Sequence, residues 1–224
     1  MHFCQCYLTL SFSIDIMKKN NDDVQEAMVI AAAVILAGGK SRRMGRDKLA
    51  LTLGGRTLLE LSAERFAEEF KDVYISVADA AIYPEVTGSR IVDILPGAGP
   101  MSGLHAALTN LPDEGVFLVA ADLPYADARA AKRLIDLCGE KEACIIRLPD
   151  GKLEPLFGYY KRTLLPLCEA AIKSGDYRMT ELIMGADTRF IAPNELGALW
   201  NDRMILNINY PEDYNALRKN PLLY

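Results

Sequence analysis

The chain has 224 residues, half of them hydrophobic and a quarter charged, and its formal net charge is −5. This composition suits a globular domain that buries a sizeable core, whereas the acidic balance argues against non-specific binding to nucleic acid or to an anionic membrane surface. The five cysteines form no C-x-x-C pair and there are only two histidines, so neither a disulfide framework nor a zinc or histidine-based metal centre is expected. We therefore expect reduced thiols and a cytoplasmic location.

The first 26 residues are predicted to be a disordered or wrongly assigned extension, and residues 27–224 a single domain. An apolar run covers residues 7–16, but no basic residue lies within or shortly before it and Asp15 interrupts it. A secretory signal peptide would not show this pattern, and the run is too short to span a bilayer. No membrane contact is therefore expected.

Strand-like and helix-like segments alternate along the domain. Continuous apolar runs predict strands at 28–36, 73–77, 90–94, 116–120 and 143–147. Apolar residues at helical spacing predict helices at 57–70, 101–111 and 126–138. This alternation is typical of βαβ crossovers, and it predicts a Rossmann-like three-layer α/β/α sandwich with a mostly parallel sheet.

The pattern changes after Pro149. A strand at 153–160, a helix at 164–173 and a final short strand at 206–208 are predicted to complete the sheet and to add a substrate-binding lobe. In an open α/β sheet, ligands bind beyond the carboxyl ends of the strands. The three polar turns predicted at such ends are therefore expected to converge; they are 37–48, 93–103 and 121–124.

The turn after the first predicted strand combines paired glycines with many cations. Residues 36–48 read L-A-G-G-K-S-R-R-M-G-R-D-K, so Gly38 and Gly39 precede five cations within nine residues. Glycines let a backbone approach a ligand closely and direct its N–H groups to phosphate oxygens. The Walker A pattern requires glycine where Val34 stands, and the dinucleotide fingerprint requires glycine where Ser102 stands. The loop is therefore a candidate triphosphate-binding site, but it is neither a Walker A loop nor a dinucleotide-binding loop.

This loop resembles the signature of the molybdenum cofactor guanylyltransferases, which attach a nucleotide to molybdopterin. Further matches to that family follow in its own order, at Asp93 with 97–104, and at 122–124, 154–157, 175–178 and 207–213. Together they run from about residue 33 to residue 217. Three positions depart from the family pattern: Ala121, Glu154 and Tyr210 stand where Cys, His or Gln, and Thr are usual, which leaves a pterin role for Glu154 open.

The resemblance implies a Mg²⁺-dependent transfer of GMP from GTP to the terminal phosphate of molybdenum-bound molybdopterin, with pyrophosphate as the second product. The positions implied for nucleotide binding are Leu36, Ala37, Gly38, Gly39, Lys48, Asp93, Gly99 and Asp122. Those implied for catalysis are Lys48, Arg43 and Asp122, of which Asp122 also holds the metal. Those implied to face the pterin are Arg178, Asn207 and Asn209. Proteins that mature molybdoenzymes are implied as partners.

Other interpretations of these residues stay open from the sequence. Asp122 could cap a helix, and Asn207 and Asn209 could hold adjacent loops together. The alternative functions are a molybdopterin cytidylyltransferase, a sugar-phosphate nucleotidyltransferase and a non-catalytic nucleotide-binding module. By resemblance, the cytidine branch has Ala at the position of Gly39, and an intact Lys48 and Asp122 argue against a mere binding module.

Overall fold

The computed structural model describes residues 31–38, 48–83, 86 and 88–219. The strands in this part of the chain are β1 (Ala31–Leu36), β2 (Thr52–Leu53), β3 (Arg56–Thr57), β4 (Val73–Val77), β5 (Ser89–Val92), β6 (Gly115–Ala120), β7 (Ala143–Arg147), β8 (Leu153–Lys161) and β9 (Thr188–Ile191). The α-helices are α1 (Leu58–Ala67), α2 (Pro100–Asn110), α3 (Ala128–Cys138), α4 (Leu165–Ser174), α5 (Met179–Gly185) and α6 (Pro211–Lys219). Short 3₁₀ turns lie at Lys48–Ala50, Arg162–Leu164, Pro193–Leu199 and Asp202–Ile205.

One seven-stranded sheet, in the order β5-β4-β1-β6-β8-β7-β9, forms the middle of the domain. Its pairings are parallel for β5–β4, β4–β1, β1–β6 and β7–β9, and antiparallel where β8 meets β6 and β7. The predicted mostly parallel sheet is therefore confirmed. Every residue of β1 and β6 is buried, which explains why their sequences are apolar without alternation.

Helices cover both faces of the sheet. On one face, Phe66 of α1 and Leu134 of α3 belong to the same buried cluster as Phe117 of β6. On the other face, Leu104 of α2 and Leu182 of α5 belong to a second cluster. The predicted three-layer α/β/α sandwich is confirmed, and the part after Pro149 contributes to both clusters and to the same sheet.

A third and smaller cluster joins the β2–β3 hairpin to the last helix. We call it the C-terminal core, and its members are Leu51, Leu53, Leu58, Ile208, Tyr214 and Leu217. The hairpin leads into α1, which begins at a capping box. The Thr57 hydroxyl accepts a hydrogen bond from the Glu60 N–H at 3.1 Å, and the Glu60 carboxylate accepts one from the Thr57 N–H at 2.6 Å. This reciprocal pair fixes where the hairpin ends and the helix starts.

The predicted strand at 206–208 is wrong. Residues 206–209 belong to no helix or strand, and Ile208 donates its N–H to the Asp122 carbonyl at 3.0 Å. The segment therefore contacts the end of β6 instead of pairing along the sheet. Further elements that the sequence did not predict are the β2–β3 hairpin, α5, β9 and α6.

Residues 1–26 lie outside the described part of the chain, so the extension stays a prediction. Within the described part, no helix has both the length and the hydrophobicity that crossing a bilayer requires.

Candidate functional site

The carboxyl ends of β1 and β6 lie side by side near the middle of the sheet. Leu36 pairs with Ala120, and the Ala121 N–H donates to the Leu36 carbonyl at 3.2 Å. The chain therefore leaves both strands together, toward Gly38 on one and Asp122 on the other. Within the seven-stranded sheet, β4 and β5 follow β1 along the chain and lie on one side of it, whereas β6 lies on the opposite side. This is a topological switch point, where α/β sheets bind ligands.

The turn after β5 reaches the same edge. Asp93 donates its N–H to the carbonyl of Val77, the last residue of β4, at 3.0 Å, and β4 in turn pairs with β1. Burial raises the pKa of the half-buried Asp93 carboxyl. β1 and β6 are neighbours, whereas β4 separates β5 from β1. The described parts of the three polar turns therefore leave the same edge of the sheet, as the topology predicted.

A buried serine holds the turn after Asp93 in shape. The Ser102 hydroxyl accepts a hydrogen bond from the Ala98 N–H at 3.0 Å and donates one to the Leu95 carbonyl at 2.7 Å. Gly99 has a φ of +61°, in the left-handed region that favours glycine, and it directly precedes α2. The sequence presented Ser102 only as a mismatch to the dinucleotide fingerprint. No sequence motif indicated that Ser102 orders this loop.

The first turns of α2 pack directly on the ends of the central strands. A Cβ atom built on Gly103 would lie 2.5 Å from the Ser76 Oγ and 2.6 Å from the Leu36 Cδ2. Only glycine permits this approach. The N-terminus of α2 is thereby held at the edge where β1 ends, and the partial positive charge of a helix N-terminus favours an anion there.

Asp122 lies two residues beyond the end of the buried strand β6 and is half-buried. The alternative that it caps the next helix is excluded, because Asp127 caps α3. The Asp127 carboxylate accepts hydrogen bonds from the N–H groups of Arg129 and Ala130, at 2.8 and 3.3 Å. Six residues thus separate the end of β6 from the helix cap, and Asp122 lies among them without capping α3.

The segment 206–210, which carries Asn207 and Asn209, passes close to this aspartate. Ile208 is 3% exposed and donates its N–H to the Asp122 carbonyl, while Asn207 is exposed and Asn209 half-buried. Burial alternates along the segment, as side chains do in extended backbone. The bond from Ile208 thus places the segment that carries both asparagines beside the Asp122 turn. That the asparagines face a pterin stays a prediction.

Arg178 is exposed at the start of α5. It donates two hydrogen bonds to the Asp176 carboxylate, at 2.6 and 2.8 Å, and lies 3.4 Å from the Glu181 carboxylate. Those bonds lower the pKa of Asp176 to about 2. An anion that binds Arg178 must therefore share the guanidinium with carboxylates of its own loop and helix.

Some of the predicted site lies outside the described residues. Gly39 and Arg43 belong to this part, and of Lys48 only the backbone is described, as the first residue of a 3₁₀ turn. Leu49 follows in the main core and is 5% exposed. Glu154, whose role was open, has a side chain 13% exposed and an ion pair of 2.5 Å with Lys152.

No group of three or more His, Cys, Asp or Glu side chains that could hold a metal occurs in the described part of the chain. The role of Asp122 as a metal ligand stays a prediction. Cys138, Cys144 and Cys168 are buried and carry free thiols, which agrees with the expectation of reduced thiols.

Comparison with known proteins gives a consistent family. The profile of the family described as MobA-like NTP transferase domain matches residues 33–192. A Pyrococcus furiosus protein named probable molybdenum cofactor guanylyltransferase is 34% identical over 189 residues, covering 82% of this chain and 94% of the relative. A Syntrophotalea carbinolica protein named molybdenum cofactor guanylyltransferase is 30% identical over 188 residues, covering 82% and 89%.

Solved structures show the same fold. The molybdopterin-guanine dinucleotide biosynthesis protein A from Archaeoglobus fulgidus matches with a TM-score of 0.72 at 22% identity, covering 84% of this chain and 97% of that one. A 2-C-methyl-D-erythritol 4-phosphate cytidylyltransferase from Thermus thermophilus matches with a TM-score of 0.60 at 15% identity, covering 83% and 96%. At such identities the likeness is one of fold alone.

Proposed function

Because the chain belongs to the MobA-like NTP transferase family, we propose that it transfers GMP from GTP to the terminal phosphate of molybdenum-bound molybdopterin. The observation that carries this proposal is the switch point between β1 and β6, where Asp122 lies, with the turn after β5 at the same edge of the sheet. The names of the curated relatives support guanine as the base and molybdopterin as the acceptor. The products are the guanine dinucleotide cofactor and pyrophosphate.

The reaction requires one bond to form and one to break at the α-phosphorus of GTP. A terminal phosphate oxygen of the pterin attacks that phosphorus in line, and the bond to the bridging oxygen of the β-phosphate breaks. The electron pair leaves with pyrophosphate. Because the nucleophile is already an anion, no side chain has to remove a proton, and positioning with charge neutralisation supplies the catalysis.

The nucleotide side of the site would be built from backbone and cations. Gly38 and Gly39 bring N–H groups close to the phosphates, and the N-terminus of α2 adds a favourable field for the anion. Lys48 and Arg43 neutralise the charge that develops on pyrophosphate. The half-buried Asp93 carboxylate lies at the same edge, one strand beyond β4, where it would face the nucleoside.

The residues present fit Mg²⁺. Asp122 offers a hard oxygen ligand at a half-buried strand end, and Mg²⁺ is commonly bound by one or two carboxylates while keeping waters and substrate phosphate oxygens as its other ligands. When bound, the ion would neutralise phosphate charge and orient the triphosphate. Asp122 would hold that ion, and its backbone carbonyl fixes the segment that faces the acceptor.

The acceptor side would use Arg178, Asn207 and Asn209. The guanidinium would bind the terminal phosphate in exchange for part of its pairing with Asp176 and Glu181, and the two amides would orient the pterin phosphate or the pterin edge. The finished cofactor would pass to proteins that mature molybdoenzymes. Buried free thiols in the described structure fit a reducing compartment, which supports the cytoplasm as the place of the reaction.

The test is to incubate the protein and Mg²⁺ with molybdenum-bound molybdopterin and each of the four NTPs separately, followed by mass analysis of the pterin product. We expect the guanine dinucleotide as the main product, formed well in excess of the dinucleotides from the other three NTPs. If the cytosine dinucleotide is the main product, the protein is a cytidylyltransferase and the guanylyltransferase assignment is wrong. No nucleotide adduct with any NTP would overturn nucleotidyl transfer to this acceptor.

A further inference from the structure

The segment 206–210 is held in place by contacts outside any sheet. Ile208 buries its side chain in the C-terminal core and donates its N–H to the Asp122 carbonyl at 3.0 Å. The Asp213 Oδ2 atom accepts hydrogen bonds from the N–H groups of Asn209 and Tyr210, both at 2.9 Å. One carboxylate therefore binds the two backbone N–H groups that directly follow Ile208 in the chain, whereas Asn207 directly precedes Ile208.

Asp213 itself sits on a firmly anchored helix. Tyr214, the next residue of α6, donates its hydroxyl to the Thr52 carbonyl at 2.6 Å, and Leu217 is 2% exposed in the C-terminal core. The helix is thus fixed to the β2–β3 hairpin. The segment 206–210 is also held by the Leu206 N–H, which donates to the Arg203 carbonyl at 2.9 Å, and by the Tyr210 carbonyl, which accepts from the Asp213 N–H at 3.1 Å. The two bonds to the Asp213 carboxylate add a direct connection from Asn209 and Tyr210 to the anchored helix.

We propose that Asp213 is a positioning residue that keeps Asn207 and Asn209 in register with the Asp122 turn, and so sets the affinity for the acceptor but not for GTP. This inference rests on the proposed function, because it takes the two asparagines as acceptor-facing. Without the carboxylate, the segment spends less time in the arrangement that binds the acceptor. The apparent affinity for the acceptor falls in proportion to the population of that arrangement. The nucleotide side, built on β1 and α2, does not depend on these bonds.

Asp213→Ala tests the proposal against a matched control, Glu212→Ala. Glu212 is an exposed neighbour in the same first turn of α6, so both variants remove the same charge from the helix N-terminus. Asp213→Ala is expected to raise the KM for molybdopterin roughly five- to tenfold, the change that loss of one cap produces. Its kcat at saturating pterin and its Kd for GTP stay unchanged. Glu212→Ala leaves all three values unchanged.

A second measurement follows the segment without any chemistry. Amide hydrogen exchange at Asn209 and Tyr210 is expected to be faster in Asp213→Ala and unchanged in Glu212→Ala. Asp213→Asn keeps one neutral carbonyl oxygen, a weaker acceptor than a carboxylate, so it should give intermediate KM and exchange. If Asp213→Ala does not fold, Asp213→Asn decides by the same two measurements.

The outcomes separate this inference from the proposed function. An unchanged pterin KM in the folded variant, or an equal rise in the Kd for GTP, overturns the inference while guanylyl transfer by the unaltered protein stands. If the unaltered protein makes no guanine dinucleotide, the proposed function fails. The exchange rates of Asn209 and Tyr210 then still decide whether Asp213 holds the segment.

Discussion

Replacing Gly38 with alanine separates ligand binding from folding at the phosphate loop. An ideal Cβ at Gly38 meets no described atom within 4 Å, and its φ lies outside the left-handed region. The added methyl group therefore meets no obstacle among the described residues. Reduced flexibility of the unfolded chain should leave stability equal or slightly higher. If the backbone at Gly38 approaches the phosphates of GTP as proposed, the methyl group must displace them.

The expected loss is one of affinity. Overpacking a close contact costs about 1–3 kcal/mol, which corresponds to a roughly five- to 150-fold increase in the Kd for GTP. Calorimetric titration with GTP measures that Kd, and thermal unfolding measures stability. Wild-type affinity in Gly38→Ala would refute the idea that backbone at this position touches the nucleotide.

Gly103→Ala is the matched control with the opposite signature. Its new methyl group would lie 2.5 Å from the Ser76 Oγ and 2.6 Å from the Leu36 Cδ2, so α2 has to move away from the sheet. We expect a loss of about 1–3 kcal/mol in the free energy of unfolding and a Tm lower by several degrees, about 2–4 °C for each kcal/mol. An unchanged Tm would show that the close packing of α2 is not tight in solution.

Three further predictions concern charged side chains. Asp122→Ala should abolish transfer and leave the Tm unchanged. Asp127→Ala should remove the helix cap, which costs about 1 kcal/mol of stability, and should keep transfer activity. Lost stability in Asp122→Ala with lost activity in Asp127→Ala would contradict these roles. Lys48→Ala should lower kcat/KM roughly a hundredfold or more. If alanine variants of other cations in the loop lose as much activity, the loop acts only as a diffuse basic patch. Arg178 lowers the pKa of Asp176 to about 2, so their pairing contributes above the ordinary carboxyl pKa and is lost as pH falls toward 2. Arg178→Ala should return that pKa to its ordinary range in an NMR titration, and no change would show that the pair does not form in solution.

The central strands could be predicted from sequence because burial alone determines their composition. The strands at 73–77 and 143–147 were predicted to the residue, and the position of the three turns at one edge of the sheet followed from the parallel topology. The third predicted helix, 126–138, begins two residues later than expected. Its start depends on Asp127, a capping residue that lies inside the predicted helix.

The elements that escaped prediction are held by contacts that no local pattern contains. β9 is a four-residue edge strand with a single fully buried residue, Ile191, so its apolar signal is weak. The segment 206–208 reads as a strand, yet a bond to Asp122 and burial of Ile208 in the C-terminal core decide its path. The pairing of Arg178 with Asp176 likewise depends on a turn whose geometry the motif does not state.

The path of the phosphates of GTP is the most direct test of the central claim. Two parallel reactions contain molybdenum-bound molybdopterin with GTP labelled either at the α-phosphate or at the γ-phosphate. GMP transfer predicts that the α label appears in the pterin product and that the γ label is released as pyrophosphate. A γ label on the pterin, or both labels recovered only in hydrolysed nucleotide, would contradict it.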